Sequence, residues 1–127
     1  METMTTRLIA AGVLFFITIL SGIWLSHAGK PYHSGIFTVH KLIAVGVIIL
    51  TAISVTRLYQ AAELRSVLVV LLVAVSGLFF LALVITGALL SLNIPLEGLA
   101  LKIHQAVPVL ALGFSAVTVF LLAGGQV

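Results

Sequence analysis

The chain has 127 residues, of which 62% are hydrophobic and only 7% charged, and its mean hydropathy is +1.38. Soluble domains carry about 25% charged residues, so this composition excludes a water-soluble enzyme or binding module. Six basic residues against three acidic ones give a net charge of +3 and a pI near 9.8. The basic residues are scattered at the ends of apolar runs, which suits anionic lipid headgroups and not nucleic acid.

A hydrocarbon core about 30 Å thick takes about 20 apolar residues per helix. Four runs meet that length, and they predict spans at 7–26, 35–56, 66–90 and 98–123. Little chain remains outside them. The expectation is a single transmembrane domain over 1–127: an all-α, integral membrane four-helix bundle whose first partner is the lipid bilayer. Cysteine is absent, which excludes disulfides, iron–sulfur clusters and covalently attached c-type haem.

Span one follows a short polar lead and ends near Trp24, with Tyr32 just beyond; both suit an interfacial aromatic belt. Arg7, the apolar core and Ser26-His27-Ala28 also resemble a signal peptide with its cleavage site. The core is longer than most signal h-regions, so the segment is expected to be retained. Loop one, 27–34, carries Gly29, Lys30, Pro31, Tyr32 and two histidines, His27 and His33. These histidines are read as interfacial loop residues, with a quinone contact, a second metal or a pigment as alternatives. Span two is rich in Val and Ile but far too long for a strand. Loop two, 57–65, is the most charged segment, and loop three, 91–97, carries Asn93 and Pro95. In span four, Pro108 lies four residues after His104 and removes a helical hydrogen bond to that histidine's carbonyl, which predicts a kink. The chain ends with Gly124, Gly125, Gln126 and Val127.

An internal repeat links the halves. Gly12 and Gly77, Gly22 and Gly87, and Ser26 and Ser91 are each 65 positions apart, while His40 and His104 are 64 apart. The expectation is two parallel two-helix repeats related by an axis along the membrane normal. Counted from the loop-one and loop-three side, His40, His104, Gly22 and Gly87 then share a layer about 6–9 Å below the interface.

An imidazole inside a membrane helix needs a partner or a function. Two at one depth are suited to clasping one metal centre, so His40 and His104 are the expected axial ligands of a single haem b. Gly22 and Gly87 are expected to let the macrocycle edge approach the backbone, and Gly12 and Gly77 to let helices pack closely. Lys41, Lys102 and Lys30 are candidates for the haem propionates, against snorkelling to headgroups. Ser21, Ser26, Thr86 and Ser91 are expected to bond their own helix backbones.

This pattern resembles the four-helix bis-histidine membrane cytochromes b, in which glycines on the first and third helices flank haems ligated from the second and fourth. It is also similar to one half of haem A synthase, which carries a histidine on its second and another on its fourth helix. The resemblance implies a membrane-embedded electron carrier with a quinone or protein redox partner. The second histidines of a dihaem protein would fall near Ser54 and Thr118, so one haem is implied. The acidic residue expected one turn before His40 in a synthase is replaced by Ile36 and Phe37, so synthase chemistry is not implied.

The alternatives are a pigment-binding subunit or a cofactor-free anchor of a larger redox or photosynthetic complex, alone or as a homodimer. A transporter is disfavoured because no acidic residue lies within a span. A stand-alone enzyme has no visible constellation of nucleophile and base. Arg7, Arg57 and Arg65 lie on the side of the termini, and Lys30, Lys41 and Lys102 on the histidine side. That three-against-three balance leaves the positive-inside rule undecided. With Lys41 and Lys102 assigned to the haem, the expected location is a prokaryotic cytoplasmic membrane with cytoplasmic termini.

Overall fold

In a computed structural model, residues 2–63, 65–92 and 94–124 are described. Asn93, Gly125, Gln126 and Val127, read above as loop and tail, lie outside them. The described residues form four helices and no strand: α1 (Glu2–Ala28), α2 (Ser34–Ala61), α3 (Val67–Ser91) and α4 (Glu97–Leu122). At 27, 28, 25 and 26 residues and about 1.5 Å per residue, each is longer than a bilayer's hydrocarbon core. All four are long and apolar enough to cross a membrane.

Val, Ile and Leu dominate these segments without turn residues to interrupt them, and a helix bonds every backbone group within its own segment. A segment crossing hydrocarbon would need that arrangement even with β-branched sequence. The helices outrun the predicted spans where polar residues follow. α2 passes residue 56 and includes Arg57, Leu58, Tyr59 and Gln60 before ending at Ala61. Ser66 caps α3 by accepting from the Val69 amide at 3.3 Å. α4 runs unbroken through Pro108.

The chain divides into two compact units, Met1–Arg57 and Leu58–Val127. In the first, α1 meets α2 through Ser21, Gly22 and His40. In the second, α3 and α4 pair antiparallel. Ser76 Oγ lies 3.5 Å from Thr118 Oγ1, the Phe79 and Phe114 ring centroids are 5.3 Å apart, and Thr86 meets His104. Large apolar side chains face outward, among them Trp24, Leu42, Val67, Val109 and Phe120. The buried set includes hydroxyls: Ser54, Ser76, Thr86, Ser115 and Thr118. Gly12 and Gly77 differ from expectation. A Cβ on either would meet nothing within 4 Å, because both lie on exposed faces, so neither serves close packing among the described residues.

Candidate functional site: two histidine, hydroxyl and glycine clusters

Near the end of α1, Ser21 and Gly22 are adjacent, and His40 lies in the second turn of α2. Ser21 Oγ is 2.8 Å from His40 Nδ1. A Cβ built on Gly22 would lie 3.1 Å from His40 Cε1. Two contacts of the ring edge thus rest on consecutive residues of α1. The Ser21 hydroxyl also donates to the Thr18 carbonyl at 2.9 Å.

The second unit builds the same cluster from α3 and α4. Thr86 Oγ1 is 2.8 Å from His104 Nδ1, and a Cβ on Gly87 would lie 3.2 Å from His104 Cε1. The Thr86 hydroxyl donates to the Ala82 carbonyl at 2.7 Å. Ser21-Gly22 and Thr86-Gly87 are therefore equivalent dipeptides, 65 positions apart, each receiving one imidazole. What fills the space beside each glycine is the imidazole itself, where the sequence reading had put a macrocycle edge.

The chain matches no protein-family model, no curated protein and no solved structure.

The expectation for Ser21 and Thr86 was incomplete. Both bond their own helix backbones as expected, and both also hold a histidine. The usable signal was their position: each directly precedes a glycine of the repeat. Ser91 donates to the Gly87 carbonyl at 3.1 Å, as its helical setting suggests.

Around His40 the surface of the first unit is basic and aromatic. Lys41 Nζ sits 4.1 Å from the Phe37 ring centroid. Phe37 lies 5.2 Å from Tyr32, whose ring is 5.6 Å from Lys30 Nζ. Lys102, two residues before His104, is exposed. His27 is exposed at the end of α1. His33 stays at the start of α2, where its Nδ1 accepts from the Ile36 amide at 3.4 Å. Ser54 and Thr118, the positions of a hypothetical second ligand pair, are fully buried hydroxyls. Among the described residues no group of three or more His, Cys, Asp or Glu could hold a metal ion. A metal centre built from this chain's side chains would draw on fewer such donors.

Proposed function

We propose that this protein is a membrane-embedded cytochrome carrying electrons through one haem b per chain, with His40 and His104 as axial ligands. The carrying observation is that each unit builds the same cluster, a histidine seated on a glycine and hydrogen-bonded at Nδ1 by a hydroxyl. The donor set fits the group. Two imidazoles suit low-spin haem iron, and a ring anchored at one nitrogen is oriented for ligation through the other.

When bound, the haem supplies reversible one-electron storage. The protein's part is to bind, orient and insulate. His40 and His104 would hold the iron through their imidazoles and leave no room on it for small molecules, which would favour electron transfer over oxygen chemistry. Lys41 and Lys102 supply positive charge for the propionates at the histidine-side surface. The apolar exterior would keep water away, and that low-dielectric surrounding, with His40 and His104, would tune the potential.

The chain spans a prokaryotic cytoplasmic membrane as a four-helix bundle of two parallel repeats, with cytoplasmic termini. It exchanges electrons with a quinone or a protein partner, either as a homodimer or within a larger complex. Paramagnetic resonance of the oxidised protein beside His40→Ala and His104→Ala tests the ligand assignment. Each substitution is expected to abolish the low-spin bis-imidazole signal. Its survival with either histidine removed would reject the pair.

A further inference from the structure

We infer that Ser21 and Thr86 are positioning residues that hold His40 and His104 in the Nδ1-protonated tautomer, making Nε2 the atom that each ring offers to a metal. The inference rests on the haem reading for its consequence, but the tautomer follows from hydrogen-bond bookkeeping. A hydroxyl has one proton to donate and two lone pairs to accept with. Ser21 directs its proton to the Thr18 carbonyl at 2.9 Å, and Thr86 directs its proton to the Ala82 carbonyl at 2.7 Å. Carbonyls cannot donate in return. With those protons engaged by the carbonyls, the 2.8 Å contacts to His40 Nδ1 and His104 Nδ1 run from ring to hydroxyl, the direction that the proposed tautomer supplies. A neutral imidazole with its proton on Nδ1 carries its lone pair on Nε2.

The glycines complete the device. With no side chain at Gly22 or Gly87, the Cε1 edge of each ring approaches the neighbouring helix closely, and the hydroxyl one residue earlier meets Nδ1. Ring plane and tautomer are fixed from one side. A hydroxyl is also a weaker acceptor than the carboxylate that often backs a ligating histidine. It therefore leaves the imidazole neutral and a moderate donor, rather than pushing it toward imidazolate. The arrangement selects a ligand that does not strongly favour ferric iron.

The test uses the full-length chain in detergent and two independent readouts. In the haem-free chain, nitrogen-15 shifts of labelled histidine should show protonated Nδ1 and unprotonated Nε2 for His40 and His104. In Ser21→Ala and Thr86→Val that tautomer preference should be lost at the adjacent ring. With haemin as the probe, both variants should bind about 10–100-fold more weakly, and their midpoint potential should rise because the imidazole becomes a poorer donor. Thr86→Ser, which keeps the hydroxyl, should restore affinity and potential, and so separates the hydrogen bond from general misfolding. Nε2-protonated rings in the wild type would overturn the inference. So would haem-loaded variants with unchanged affinity and potential. A wild-type chain that takes up no haemin overturns the functional reading instead, and the nitrogen-15 spectrum still decides the tautomer.

Discussion

Replacing Gly22 by alanine should destabilise the first unit, and replacing Gly12 in the same helix should not. A Cβ at position 22 would lie 3.1 Å from His40 Cε1, whereas carbon atoms rest about 3.5–4.0 Å apart. The ring must retreat by about 0.4 Å or more. It cannot do so freely, because Ser21 holds Nδ1 at 2.8 Å from the adjacent position. Moving away from α1 stretches that bond toward about 3.2 Å, the limit of good geometry. Overpacking of this kind costs about 1–3 kcal/mol. Alanine's helix propensity returns about 1 kcal/mol, but the same gain accrues at Gly12, where a Cβ meets nothing within 4 Å. The difference between Gly22→Ala and Gly12→Ala cancels propensity and isolates the contact, at about 1–3 kcal/mol. In the second unit, the difference between Gly87→Ala and Gly77→Ala should be similar, since the Gly87 approach is 3.2 Å. Reversible unfolding in mixed micelles, followed by far-ultraviolet circular dichroism, measures all four. Equal stability of the two variants within each pair would refute the seating of the rings on the glycines.

Buried hydroxyls should separate by their partners. Thr118 is fully buried, donates to the Phe114 carbonyl at 2.7 Å and lies 3.5 Å from Ser76, so Thr118→Val should cost about 0.5–1.5 kcal/mol in the same unfolding assay. Ser54 is equally buried, but its Oγ has no hydrogen-bond partner among the described residues. Ser54→Ala should therefore be neutral or stabilising, and a loss above about 1 kcal/mol would contradict the absence of a partner. Ser66→Ala removes the α3 cap, whose 3.3 Å bond is long, and should cost about 0.5 kcal/mol. Amide exchange should quicken at Val69 while the middle of α3 stays protected.

The four helices were legible because each apolar run exceeds any strand and hydrocarbon demands internal hydrogen bonding. Their ends were not. Hydropathy marks where the apolar run stops, whereas backbone bonding carries α2 through Arg57, Leu58, Tyr59 and Gln60 to Ala61. Inward faces were equally obscure. A helix that is apolar all round has no polar side to contrast with its core, so Val47 and Ala111 could not be told from exposed neighbours such as Val45 and Leu112. Rare residue types escaped that limit. His40, His104, Gly22 and Gly87 stood out by shared offset, and the structure brings each histidine to its glycine. The contacts of Ser21 and Thr86 with the histidines were not legible because helical Ser and Thr usually satisfy themselves on a preceding carbonyl. Here that backbone bond is what frees each hydroxyl oxygen to accept from a histidine.

The most direct test of the account is the visible spectrum of the purified full-length protein, oxidised and then reduced with dithionite, together with a pyridine haemochrome assay. The account predicts a sharp reduced α-band of the haem b type and one haem per chain. A colourless protein from haem-sufficient cells, unchanged by added haemin, would contradict it and leave a cofactor-free membrane anchor. A long-wavelength band from a magnesium pigment would contradict it equally, and would make the two histidine clusters separate pigment sites.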